Sequence, residues 1–362
     1  MGHGPRDLLL VAVLAWAGCG RDPGPDPAAA AAVPVSQATE FTWTRSRRDT
    51  AAGTLVTAWR LTGLAVTEAT PEPGRTEVAM TAPRIVYHPE PGRPGTVCIQ
   101  APAGTFNEAE GRITFERAAL LEARPGAAEP ATTLSTGDMV YWSERQVIVS
   151  AAPFVLVHAN AALTGTGFTY DLATGRADLA AGTVLRLRHA LARTALSGPL
   201  PPAPDDIGAV CDELDRMAAA AIDAEYEMRN TGPTILDPGQ GVIDLAGPVT
   251  FTTTRFTVTA GTMRISRGAV HPLLRGSGPA FTAVNAAGAV RFTELTGAKR
   301  TVQCGRLSYD LIAAEAVMTG DPVLTSATET IRSARITYQP DRARFAFAKP
   351  YRIETRPGGP LP

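Results

Sequence analysis

The stretch Phe168-Thr169-Tyr170-Asp171-Leu172-Ala173-Thr174-Gly175-Arg176-Ala177-Asp178-Leu179 decides the fold. Phe168 and Tyr170 stand two positions apart, so on a strand they share one face. Asp171 to Gly175 supplies turn chemistry, with a short carboxylate for turn amides and a glycine free to take positive φ. Alternation resumes at Arg176. Three further segments share the layout: Val140-Tyr141-Trp142-Ser143-Glu144-Arg145-Gln146-Val147-Ile148-Val149, Leu307-Ser308-Tyr309-Asp310 continuing to Ala316-Val317-Met318, and Ile336-Thr337-Tyr338-Gln339-Pro340 continuing to Phe345-Ala346-Phe347. Ile85-Val86-Tyr87-His88-Pro89 is a fifth, with an enlarged loop. Tyr141 and Tyr170 are 29 residues apart, and so are Tyr309 and Tyr338. Equal spacing in two places implies duplicated modules, each too small to bury its own face and stabilised by stacking on its neighbours.

Working outward, period two continues through Thr54–Leu61, Thr76–Met80, Arg112–Phe115, Phe154–Val157, Thr183–Leu187, Val249–Thr259, Thr262–Ile265, Val290–Thr293 and Tyr351–Ile353. These read as strands. Ile207 to Met228 differs. Val210, Leu214, Met217, Ala221 and Ile222 recur at helical spacing, Asp205 or Asp206 offers an N-cap, and Asn230-Thr231-Gly232-Pro233 is a stop signal. A helix of about 20 residues is expected there, after the Pro-rich run Gly198–Pro204. It either separates two β modules or caps one end of a continuous sheet.

The bulk numbers fit this pattern. The chain has 362 residues, 44% hydrophobic and 19% charged, as a globular protein does. Thirty-four glycines and 30 prolines suit many turns between short strands. A formal net charge of −1 points away from nucleic acid as a partner. Cys19, Cys98, Cys211 and Cys304 form no CxxC and stand near no histidine cluster, so no metal site is expected. Cys98 and Cys304 are expected as small buried residues on strands. His3, His88, His158, His189 and His271 lie in no HExxH and pair with no GxSxG serine. No carboxylate pair reads as a glycosidase dyad. The expectation is a protein without catalytic residues and without a cofactor.

The N-terminus reads as an address. Leu8 to Ala17 is an uncharged apolar run too short to span a bilayer, and it has the length of a signal-peptide core. The following Trp16-Ala17-Gly18-Cys19 resembles the lipobox of bacterial lipoproteins, although Trp16 stands where leucine is usual. That resemblance implies cleavage before Cys19 and acylation of its sulfur; an ordinary cleaved signal or a short anchor are the alternatives. Arg21 to Val35, rich in Pro, Ala and Gly, reads as a tether.

Longer stretches carry a family likeness. "MTAPRIVYH", "GRITFERAALLEA", "TTLSTGDMVYWSERQVIVS" and "LTGTGFTYDLATGRADL", between Ala79 and Leu187, resemble the LptC family of lipopolysaccharide export. "LSYDLIAAEAVMTGDPVLTS" and "IRSARITYQPDRARFAFA", within Val249 to Glu354, resemble the related LptA/OstA repeat. The resemblance implies a mainly β fold of two incomplete jelly-roll modules, between which the helix expected from the spacing intervenes, a departure from the family. The corresponding organisation is a signal over 1–19, a tether over 20–39, an LptC-like module over 40–190, a linker and helix over 191–235, and an LptA/OstA-like module over 236–356.

It also implies a periplasmic protein that holds the acyl chains of lipopolysaccharide or a related glycolipid in an apolar groove, anchored here through the lipobox-like end. Its partners would be other Lpt-type jelly rolls, joined by edge-strand addition, and an inner-membrane ABC transporter complex. Groove candidates are Val147, Val149, Leu163, Phe168, Leu179, Val184, Phe256, Met263, Phe292, Met318, Phe345 and Phe347. A structural or adhesion protein with a filled core is the alternative.

Overall fold

A computed structural model describes residues 37–38, 40–48, 55–63, 65–72, 75–88, 96–117, 119–124, 132–187, 226–267 and 280–355. The expected signal with Cys19, most of the tether, Cys211, and residues 205–225 of the expected helix lie outside the described residues.

The described residues form 28 strands in one hydrogen-bonded network. The first half contains β1 (Gln37–Ala38), β2 (Phe41–Arg48), β3 (Leu55–Gly63), β4 (Ala65–Glu72), β5 (Arg75–Thr81), β6 (Arg84–Tyr87), β7 (Thr96–Gln100), β8 (Ala103–Asn107), β9 (Arg112–Glu116), β10 (Ala119–Arg124), β11 (Thr132–Thr136), β12 (Met139–Trp142), β13 (Val147–His158), β14 (Ala161–Asp171), β15 (Arg176–Leu179) and β16 (Val184–Leu187). The second half contains β17 (Tyr226–Asn230), β18 (Thr234–Asp237), β19 (Val242–Thr253), β20 (Phe256–Arg267), β21 (Phe281–Glu294), β22 (Thr301–Asp310), β23 (Glu315–Thr319), β24 (Val323–Thr325), β25 (Glu329–Ser333), β26 (Arg335–Gln339), β27 (Arg344–Phe347) and β28 (Tyr351–Thr355). All pairings are antiparallel.

The pairings resolve into two rows. One, here the tyrosine row, runs β1-β4-β5-β8-β9-β12-β13-β14-β15-β18-β19-β20-β21-β22-β23-β26-β27. The other, the leucine row, runs β2-β3-β6-β7-β10-β11-β13-β14-β16-β17-β19-β20-β21-β22-β24-β25-β28. The long strands β13, β14, β19, β20, β21 and β22 belong to both rows. Most of their pairings slip register midway, between Ser150 and Pro153, Ala246 and Val249, Thr259 and Thr262, and Ala287 and Val290. Such bulges bend a strand. In series they fold one network into a V with its crease at the slips.

Glycine makes the crease possible. Gly247 and Gly288 take φ of +85° and +78°. The Gly305 amide donates to the Gly320 carbonyl at 2.9 Å, and a Cβ on Gly320 would lie 3.0 Å from the Gly305 Cα. Backbones approach here more closely than a side chain allows.

Four of the repeated units fold as expected, and the fifth places Tyr87 at the end of β6. The Asp171 carboxylate accepts from the Ala173 and Thr174 amides at 2.7 and 3.0 Å, and Asp310 does the same for Ile312 and Ala313. The 29-residue spacing is a lateral step of two strands in the tyrosine row. Two further units went unread, β8–β9 and β18–β19, because Phe106 and Leu236 stand at the tyrosine position. Cys98 on β7 is half-buried and Cys304 on β22 is buried, both as free thiols.

Two expectations are corrected. The helical spacing runs through Met228, but residues 226–230 form β17, because they pair on one side with β16 and on the other with β19. Val249–Thr259 was read as one strand, but it turns at Thr254-Arg255. There the Thr253 hydroxyl accepts from the Arg255 and Phe256 amides, a turn with neither Gly nor Pro to announce it.

The two halves join directly. β16 pairs with β17 and β15 with β18. At that join the buried Thr183, Asn230 and Thr234 side chains bond one another at 2.5 to 3.0 Å. Asn230 also donates to the Gly232 carbonyl at 2.7 Å. A satisfied polar cluster of this kind fixes one register where apolar contacts alone would tolerate several.

Candidate functional site: the interior between the two rows

Each strand of the leucine row places one apolar residue on the same rung, and all but the outermost strands bury it. The ladder is Leu61, Ile85, Ile99, Leu121, Leu134, Leu156, Leu163 and Leu185, then Met228, Phe251, Val258, Phe292, Val302, Leu324 and Ile331. Every one of these is buried. At about 4.8 Å per strand, the ladder follows a contour of roughly 70 Å.

The tyrosine row faces it with two ladders. One carries Phe106, Ile113, Tyr141, Ile148, Tyr170, Ala177, Leu236, Ile243, Ile265, Val284, Tyr309, Ala316, Tyr338 and Phe345. The other carries Phe168, Leu179, Leu245, Met263, Ala286, Leu307, Met318, Ile336 and Phe347. All three ladders belong to one contiguous core.

The sequence candidates divide by face. Leu163, Phe168, Leu179, Phe256, Met263, Phe292 and Met318 are buried between the rows, and Phe345 and Phe347 pack partly buried against them. Val147, Val149 and Val184 are half-exposed on the outer face. Their neighbours Ile148 and Leu185 point inward instead. Val147-Ile148-Val149 is uniformly β-branched, so its parity cannot be read locally. Pairing of Ile148 with Tyr141 and Tyr170 decides it.

At the mouth of the V, polar side chains tie one row to the other. In the first half Arg45 donates to the Ser143 hydroxyl at 3.2 Å, and the Tyr87 hydroxyl donates to the Gln146 amide oxygen at 2.9 Å. Midway, Asn160 on the β13–β14 turn exchanges two bonds with the Phe281 backbone, at 2.9 and 3.3 Å. Beside it, Arg267 donates to Nε2 of His158 at 2.6 Å, which leaves Nδ1 to donate to Thr132 at 2.8 Å. Burial and the Arg267 charge lower the His158 pKa to about 3, so the ring stays neutral. In the second half Arg255 contacts the Pro340 carbonyl and Asp341, and Arg300 reaches the Ala343 carbonyl at 3.1 Å. Arg300 also forms a forked pair with the buried Glu294 at 2.9 Å on both arms, and Glu294 accepts from Tyr338 at 3.3 Å. Sequence patterns gave no sign of these ties, since each joins residues far apart in the chain.

Each tie reaches a strand several places further along the tyrosine row, so the rows are staggered. The leucine row ends beyond its partner in β28, where Tyr351 and Ile353 are 46% and 51% exposed. Ile353 continues the leucine ladder out into solvent. Among the described residues β28 pairs only with β25, and its other edge is open. A cleft of about 590 Å³ lies against the tyrosine row in the second half, lined by the outward Asp244, Arg264, Asn285 and Ser308 and by the ladder residues Leu245, Met263, Ala286 and Leu307.

Residues 8–184 match the family described as lipopolysaccharide-assembly, LptC-related. Among solved structures the chain is similar to LptH of Pseudomonas aeruginosa, the LptA homologous periplasmic component of the lipopolysaccharide transport device. Identity is 16%, over 33% of this chain and 87% of that one, with a TM-score of 0.27. No curated protein matches the chain. Over residues 8–184, just under half of its length, the chain is thus similar to the lipopolysaccharide-assembly, LptC-related family.

Proposed function

We propose that this protein is a periplasmic component of lipopolysaccharide export that carries acyl chains between its two rows of strands. The observation behind this is the leucine ladder, which runs in register through both halves without a polar rung. Each acyl CH₂ kept from water is worth about 0.8 kcal/mol, so a multi-chain lipid needs a continuous apolar path rather than a local pocket. Chains enter by parting the ties at the mouth, which are single hydrogen bonds or ion pairs, not covalent links. Acylation at Cys19 holds the protein on a membrane surface. The exposed strand β28 receives the edge strand of another Lpt-type jelly roll, and the row that starts at β2 faces the inner-membrane transporter complex.

A second reading has one observation in its favour. The interior side chains leave almost no exposed surface, as expected of a structural or adhesion protein with a filled core. Photo-crosslinking separates the two. Benzophenone side chains replacing Leu163, Phe292 and Met318 capture lipopolysaccharide in intact cells under the transport reading, while one at the outward Thr301 does not. Silence at all three interior positions, with the protein folded, favours the filled core.

A further inference from the structure

Two side chains in the first half of the interior are buried with a polar atom that finds no partner among the described residues: the Tyr141 hydroxyl and the Trp59 indole N–H. Tyr141 is 0% exposed and Trp59 6%. They belong to one corner of the mouth. Trp59 on β3 pairs in register with Arg45 on β2 and with Tyr87 on β6. Tyr141 lies close enough to Tyr87 and Arg45 to feel both electrostatically. Ser143 and Gln146, from the turn that follows Tyr141, receive the bonds from Arg45 and Tyr87. The Tyr87 and Arg45 donors are therefore engaged, and the Tyr141 and Trp59 donors are not.

A buried donor without an acceptor is disfavoured, and native structures rarely keep two together. Both are donors, the indole can be nothing else, and burial drives the Tyr141 phenol far above its ordinary pKa so that it keeps its proton. The missing complement is thus an acceptor without charge to desolvate. Leu61 and Ile85 adjoin on the same strands and begin the apolar ladder. A ligand that places a carbonyl oxygen at Tyr141 and Trp59 would lay a hydrocarbon chain along that ladder.

We propose that Tyr141 and Trp59 form a binding site for the carbonyl oxygen of an acyl linkage, ester or amide, at the point where a lipid's chain leaves its polar head. The head then projects through the mouth beside Arg45 and Ser143. This rests on the proposed acyl-carrying interior and adds where along it, and in which direction, the lipid is held.

The test uses the full chain with two probes of equal chain length, 1-lauroyl glycerol, which has the ester carbonyl, and 1-O-dodecyl glycerol, which lacks it. Binding is followed by calorimetry for the wild type, Tyr141→Phe and Trp59→Phe. The ester probe binds tighter than the ether probe to the wild type. Tyr141→Phe weakens the ester about 5- to 10-fold and leaves the ether unchanged, as loss of one buried hydrogen bond does. Ligand-free Tyr141→Phe melts at or above the wild-type temperature, because an unsatisfied group is removed. If both probes bind and neither variant distinguishes them, the carbonyl site is wrong while the acyl interior stands. If neither probe binds, the interior reading fails first and the carbonyl site with it. If ligand-free Tyr141→Phe melts several degrees lower, the hydroxyl already has a permanent partner, such as a held water, and the proposal is overturned.

Discussion

Tyr141 and Tyr338 occupy the same rung of the same row, one in each half, and both are fully buried. Their surroundings differ. Tyr338 donates to Glu294, which Arg300 neutralises, and its ring lies in a cluster with Phe256, Phe292 and Phe345 at centroid distances of 4.5 to 6.1 Å. Burial and Glu294 push its pKa up to about 12. Tyr141 has no such carboxylate and stands among aliphatic rungs. The second half has closed its polar circuit and filled its interior with interlocking rings. The first half has left a donor open among the described residues and lined its leucine row with leucine and isoleucine, whose packing adapts more readily to a different guest. Under the proposed function, one architecture thus has a rigid end and a receptive end.

The comparison can be broken most forcefully at Phe292. Its removal as Phe292→Ala takes a ring from the centre of the cluster and should destabilise the second half by about 4 kcal/mol, read as a fall in the denaturant midpoint. Leu163→Ala, on the same ladder in the first half, should be the milder change; equal losses would mean that the two interiors are equally rigid.

Arg300→Ala comes next. It leaves the Glu294 carboxylate, whose side chain is 0% exposed, without its cation, at a cost of about 3 kcal/mol. Arg45→Ala in the first half removes only a bond to a neutral hydroxyl and should change the melting temperature little.

Acid tests the boundary between the halves. His158 contributes its full stability above its unfolded pKa of about 6.5. Its folded value is about 3, so the unfolded chain binds the proton first as pH falls. Stability should drop by about 1.4 kcal/mol per pH unit below that point, or about 2 kcal/mol between pH 7.5 and 5. His158→Gln should flatten the profile, and an unchanged slope in that variant would assign the acid sensitivity elsewhere.

The smallest effect is the sharpest. Tyr338→Phe loses a bond to a charged acceptor, about 1.5 kcal/mol, whereas Tyr141→Phe should lose nothing. Matched thermal melts of the two variants decide whether the rungs differ in the way their partners imply.

Period two by itself determined most of this protein. It marked over half of the strands, though not β2, β4, β7, β8, β10, β11, β18, β24 or β25, together with the turn carboxylates Asp171 and Asp310 and the 29-residue repeat, because alternation and turn chemistry act over a few residues. It also located most of the inward apolar positions. Tertiary structure decided the rest. Parity at Val147, Val149 and Val184 could not be read from apolar neighbours on both sides and was fixed by partner strands. β17 replaced the end of an expected helix because β16 and β19 offered it hydrogen bonds on both edges. The units at Phe106 and Leu236 keep the repeat's shape without its tyrosine. Above all, only the folded V brings Glu294 to Tyr338 and, among the described residues, brings no acceptor to Tyr141, since two identical side chains on identical rungs differ in what the opposite row places before them.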